Sequence, residues 1–204
     1  GGDSSNRPIT YVSWLDAARF ANWMHNGQPA GSQNPITTEE GAYTLNGATS
    51  GPAPAKSRAA RFYIPTENEW YKAAYYKGGS KNAGYWDYAT KSDSAPGNTI
   101  GSGANQANYY NGVYSVTQSG SYSSIQNYLT NVGEFTGSQS AYGTFDQNGN
   151  VWEWNDLTGG ASSDRGLRGG YWDGNAFSLS SSYRFTDDAG NGYGDFGFRL
   201  ASPI

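Results

Sequence analysis

Asp146, Asn148, Asn150 and Glu153 crowd hard oxygen donors into the stretch DQNGNVWEWND, residues 146–156. Such donors suit calcium, and Gly149 in their midst lets backbone carbonyls turn toward a common point. The spacing is not that of an EF-hand loop, so a second reading stays open: an Asx turn, with Glu153 paired to an arginine such as Arg168 or Arg184. Trp152 and Trp154 fill a core in either case.

No other constellation makes a comparable case for chemistry. The sequence has no cysteine, which excludes disulfides, thiolate nucleophiles and cysteine metal sites. His25 falls near the end of a helical pattern, where partial positive charge suits the dipole, and nothing in the sequence sets it beside an acid or nucleophile. Arg168, Arg184 and Arg199 are expected to tie loops together through their guanidinium forks. DDAGNGYGDFG, residues 187–197, fits no ligand spacing and reads as a solvated loop. GSGANQ and GGASSDRG lack the lysine of a phosphate-binding loop. No motif marks a pair of glycosidase carboxylates.

The elements that must position these residues are few. Ser13 is the expected N-cap of a first helix with Asp16 at its third position, apolar residues at Ala17, Phe20, Ala21 and Met24, and Gly27 closing it. IPTENEWYKAAYYKGG predicts a second helix with Thr66 as N-cap, Glu69 completing the capping box and Gly78 as the stop. Residues 28–60 form an irregular excursion in which AYTLNG is a candidate short strand, and further short strands are expected near residues 113–117 and 131–135. RGLRGGYW, SLSSSYRF and FGFRLA alternate between glycines as antiparallel strands do. The fold class is α+β and rich in coil, a single domain over residues 1–204.

Composition narrows the function classes. The chain holds 29 Gly, 17 Tyr and 7 Trp with 15% charged residues, so its core is aromatic and its length goes largely into turns. A net charge of -4 without a basic cluster argues against nucleic acid, and no apolar run is long enough to span a membrane. A surface rich in Gly, Asn, Ser and Tyr and poor in Lys points to an extracellular or cell-surface location.

Five motifs occur in one order: PITYVSWLDAARFANWM, RFYIPTENEWYKAAYY, YGTFDQNGNVWEWND, RGLRGGYW and GFRLA. Together they resemble the formylglycine-generating enzyme, or sulfatase-modifying factor, family over roughly residues 7–201. The resemblance implies a C-type-lectin-like fold, and a domain that begins after the family's N-terminal segment. It implies calcium held by Asp146, the carbonyls of Gly149 and Val151, and Glu153. ANYYNG resembles the family's second calcium strand at Asn108 and the Tyr109 carbonyl.

The active enzymes that the chain resembles place a cysteine pair after the RGG segment to bind copper, and a related branch uses three histidines for iron. RGGYWDGNAFSLSSSYR has no cysteine and the chain has only His25, so neither copper nor iron of those kinds is expected.

What remains is a surface. Tyr171, Asp173, Asn175, Phe177 and Tyr193 lie where the lectin-like relatives face their ligands, and Tyr, Asn, Ser and Gly make adaptable contacts. Trp172 is expected in the core, Asn175 and Tyr193 at the surface. The reading is a calcium-stabilised, non-catalytic extracellular binding or structural domain whose partner is a protein, a glycan or another copy of itself. Three alternatives stay open: an enzyme of the same family with cysteine-independent chemistry, a retroelement-diversified receptor-binding protein, and a subunit of an extracellular assembly.

Overall fold

A computed structural model describes residues 4–203. The elements in chain order are α1 (Trp14–His25), one π-helical turn (Pro35–Glu39), α2 (Glu67–Tyr75), β1 (Trp152–Asn155), β2 (Asp164–Arg168), α3 (Ala176–Leu179), β3 (Phe185–Asp188) and β4 (Phe196–Phe198). The described strands form a sheet in the order β3-β2-β1-β4. No helix among the described residues is long and apolar enough to cross a membrane.

The chain divides into two compact units, each assembled from three segments. The first takes residues 1–9, 69–153 and 168–184; the second takes 10–68, 154–167 and 185–204.

In the second unit α1 starts as its sequence requires. Ser13 Oγ accepts from the Asp16 N–H at 3.0 Å, and Asp16 Oδ2 accepts from the Ser13 N–H at 3.1 Å, a reciprocal capping box. Trp14, Leu15, Ala17, Ala18 and Ala21 are buried, but Phe20, expected among them, is exposed and packs beside Trp23 and Phe198. Two polar residues take the inward positions instead. Asn22 is buried and bonds the 38–43 segment through Thr38 O, Tyr43 O and the Tyr43 N–H. Arg19 pairs with Glu39 at 2.7 Å.

The core of this unit is built on an ion pair with no exposed side-chain surface: Arg165 Nε lies 3.1 Å from Asp156 Oδ1. The guanidinium also sits 4.5 Å over the Trp14 ring and donates to Ala53 O and Pro54 O. Trp154 packs edge-on against Phe196. β2 and β3 pair antiparallel, with Asp164 opposite Asp188.

In the first unit, α2 presents buried Trp70, Ala74 and Tyr75 and stops at Tyr75, three residues before Gly78. Residues 76–151 contain no named helix or strand. The strands expected at 113–117 and 131–135 are turns, as is AYTLNG in the second unit. At 113–117 the reason is local: Tyr114 exchanges backbone bonds with Gln118 and Ser119, five residues or fewer away, leaving no ladder to extend. SLSSSYRF likewise enters the end of α3 and a turn before β3 begins at Phe185.

An amide-pinned aromatic platform as candidate functional site

The loop around Gly149 is the organising centre of the first unit. Gly149 has φ +75° and forms an isolated parallel bridge with Asn108 so close that a Cβ would lie 2.0 Å from Asn108 O. Only glycine fits there. Asn150, also left-handed at φ 68°, is buried. Its Oδ1 accepts from Asn108 Nδ2 at 3.0 Å and from the Thr130 N–H at 3.1 Å, and its Nδ2 donates to Thr130 O at 3.2 Å. The Asn150 carbonyl accepts from the Trp172 N–H, and Asn108 Nδ2 donates to Tyr128 O. Two buried amides thus fix the backbones that carry Tyr128 and Trp172.

Those two rings stack 4.9 Å apart at 8°, and Tyr122 lies within 20° of parallel to both. Tyr122 is 61% exposed. Its loop is held in place from below, because Tyr128 Oη accepts from the Ser123 N–H at 2.8 Å and donates to Ser121 O. Tyr114 packs 4.4 Å from Tyr128 and lies close to the Asp173 carboxylate. Burial, and after it the neighbouring Asp173 carboxylate, pushes the Tyr114 phenol up to about 12. Trp172, expected in the core, is half-buried, since its ring completes this slab.

The stack continues through aromatic contacts to Tyr171, Trp152, Tyr183 and Phe177. Of the expected ligand-face residues, Tyr171, Asp173, Asn175 and Phe177 therefore share this unit with the slab. Asn175 is exposed and caps α3, accepting from the Phe177 and Ser178 N–H groups. Phe177 is exposed. Tyr193 is exposed in the second unit, edge-on to Phe196. Sequence reasoning missed Tyr110, Tyr114, Tyr122 and Tyr128; the available signal was a tyrosine-rich run, 94–133, without a single Asp, Glu, Lys, Arg or His.

Of the expected calcium ligands, Asp146, Gly149 and Val151 lie on this loop and Glu153 lies in β1. Asp146 Oδ2 accepts from the Gly133 N–H at 2.6 Å, and Glu153 Oε2 accepts from Trp70 Nε1 at 2.7 Å. The Gly149 carbonyl accepts from the Val151 N–H at 2.9 Å, which leaves one of its two lone pairs. Asp146 also borders a cavity of about 10 Å³, room for one water, lined by polar Thr90, Thr144 and Asn148 and by apolar Ala89, Ala107 and Phe135; the other three expected ligands, Gly149, Val151 and Glu153, are not among its lining residues. Among the described residues no group of three or more His, Cys, Asp and Glu is placed to hold a metal. The expected set, with two carboxylates and two carbonyls, depends on backbone oxygen. The Tyr109 carbonyl of the second expected site accepts from Asn98 Nδ2 and Ser115 Oγ.

The remaining candidates have structural partners. Arg168 donates to Ser181 O and Tyr183 O and lies over Tyr71. His25 Nδ1 accepts from the Arg61 N–H. Asp187 and Asp188 accept from Asn191 Nδ2 and the Gly190 N–H, so two aspartates of DDAGNGYGDFG shape its turn.

With fold and site described, the chain is recognisable by class: it belongs to the sulfatase-modifying factor enzyme 1-like domain family, whose sequence profile matches residues 2–204. The fold is the C-type-lectin-like one of formylglycine-generating enzymes. Three solved structures are similar to it. CarF matches at TM-score 0.64 and 26% identity, over 99% of this chain and 69% of that one. Variable protein 1 of Treponema denticola matches at 0.62 and 24%, over 99% and 73%. PvdO of Pseudomonas aeruginosa matches at 0.53 and 17%, over 100% and 65%. Comparison with curated protein sequences yields no match.

Proposed function

We propose that the chain is a non-catalytic, extracellular binding domain, stabilised by calcium, whose ligand face is the aromatic platform of the first unit. The observation that carries this reading is the pinned slab itself. Tyr122, Tyr128 and Trp172 are near-parallel, one of them open to solvent; buried amides hold the backbones of Tyr128 and Trp172, and the Tyr128 hydroxyl holds the Tyr122 loop, before any ligand arrives. Preorganised aromatic area loses little conformational entropy on binding. The lack of cysteine supports a role apart from formylglycine chemistry, and the Gly, Asn, Ser and Tyr content supports an extracellular setting.

Calcium enters this reading through Asp146, Glu153 and the carbonyls of Gly149 and Val151. A cation on that loop would reinforce coil that has few backbone bonds of its own. Thermal unfolding in chelator and in graded calcium tests it, with Asp146→Ala and Glu153→Ala alongside. At a hundredfold excess over Kd, binding to the folded state adds about 2.7 kcal/mol. For a chain of this size that is a rise of roughly 5–10 °C in midpoint. The rise is expected in the wild type and in neither variant; coincident curves for wild type with and without calcium would remove the metal from the reading.

A further inference from the structure

The segments that build the slab are almost free of charge. Residues 94–133, which supply Tyr110, Tyr114, Tyr122 and Tyr128, are uncharged throughout, and 169–183, which supply Trp172, carry only Asp173. These segments offer an anionic partner no cation to pair with, and a polybasic partner one carboxylate. What the face does offer is flat π surface fringed with hydroxyls and amides, among them exposed Ser121, Ser123, Ser124 and Asn111.

Aromatic faces carry partial negative charge and attract the polarised C–H groups along one side of a pyranose ring. The same ring's hydroxyls need donors and acceptors at the edge of the slab. Asp173 is exposed, next in the chain to Trp172 and close to the Tyr114 phenol. A carboxylate has about four lone-pair positions, capacity enough for two neighbouring sugar hydroxyls. Resting on the binding-domain reading above, we infer that Tyr122, Trp172 and Asp173 form a subsite for a neutral pyranose of a glycan chain, stacked on the rings and hydrogen-bonded by the carboxylate.

The anchoring of the Tyr122 loop on Tyr128 Oη matches this assignment. A sugar contributes few strong contacts, so a platform that must order itself on binding would retain little affinity. The lone carboxylate also sets a charge preference, since a uronate brought beside Asp173 meets a like charge.

Titration calorimetry with the whole chain tests the inference, using cellohexaose, mannohexaose and chitohexaose as neutral probes, hexagalacturonate as an anionic one, and a tetra-arginine peptide. At least one neutral hexasaccharide is expected to bind, and Tyr122→Ala to weaken it about tenfold, the scale of one stacking contact. Asp173→Asn is expected to weaken the neutral probe and to narrow its advantage over hexagalacturonate, a change in selectivity that a merely structural role would not produce. Unchanged unfolding midpoints and near-ultraviolet circular dichroism keep both variants interpretable, and Ile36→Ser, at an exposed position of the second unit, serves as the neutral control. Binding indifferent to Tyr122→Ala overturns the subsite. Tyr122-dependent binding of the arginine peptide in place of the sugars overturns the glycan assignment and keeps the binding-domain reading. Silence toward every probe overturns the glycan assignment and takes the platform out of that reading as well.

Discussion

Asn150→Ala probes whether two buried amides hold the platform. The substitution removes three side-chain bonds, to Asn108 Nδ2, the Thr130 N–H and Thr130 O. Asn108 Nδ2 keeps Tyr128 O, so the groups left stranded are chiefly the N–H and C=O of Thr130, a residue 2% exposed. Each buried orphan costs about 1–3 kcal/mol. The left-handed φ of 68°, which asparagine tolerates, adds about 1 kcal/mol for alanine. The expected loss is therefore about 4 kcal/mol, or a fall in midpoint of roughly 8–16 °C. Asn150→Gly relieves the backbone but strands the same groups, so it should recover only about 1 kcal/mol of that loss. Near-ultraviolet circular dichroism follows the stacked rings during unfolding. A midpoint for Asn150→Ala within about 2 °C of wild type, with the aromatic signal intact, would refute the assignment of the hub.

Two further outcomes concern the second unit. Burial alone would raise the Glu39 carboxyl, but the bonds from Arg19 and the Gly47 N–H, with the Arg19 charge, bring it below its ordinary 4.5. As pH falls, the unfolded chain takes up that proton first. The contribution is therefore complete above pH 4.5 and is lost as pH drops through the lower folded value, and Glu39→Gln should flatten that acid limb in urea unfolding between pH 6 and 3. Asp156→Ala leaves Arg165, whose side chain has 0% exposure, without its carboxylate; a loss of about 3–5 kcal/mol is expected in denaturant unfolding, partly reversed by adding Arg165→Met.

The helix starts, the buried tryptophans of WEW and the strand in RGLRGG were legible because each rests on neighbours a few residues away. Ser13 and Asp16 cap one another, and DRGLR is a strand as expected, though its last four residues are all buried where alternation predicts every second one. Phe20 misled because hydrophobicity is not the only ticket to the interior: Asn22 and Arg19 enter with all-polar partners from residues 38–48 that no helical period can announce. The platform was illegible for a related reason. Tyr128 and Trp172 stack across more than forty residues of chain and share no repeat, and their alignment is set by Asn108 and Asn150, residues whose composition alone reads as turn formers.

That dependence has a structural logic. In a stretch as long as 76–151 without a named helix or strand, backbone polar groups buried near the slab must find side chains or each other. Asparagine suits the task because its amide offers the same donor and acceptor as a peptide unit, and both Asn150 and Gly149 take left-handed backbone angles that let the loop double back on Asn108. The result separates two kinds of residue. Asn108, Thr130 and Asn150 are buried and bonded to one another, so that losing either amide strands a partner, and any side chain at buried Gly149 would run into Asn108 O. Tyr122 and Phe177, at 61% and 64% exposure, touch the assembly through ring contacts, Tyr122 stacked on Tyr128 and Phe177 edge-on to Tyr183. A stacking contact is worth about 0.5–1.5 kcal/mol, against about 4 kcal/mol for the Asn150 hub. The rim of the platform can therefore change its contact chemistry at small cost to the fold, while the amides beneath it cannot.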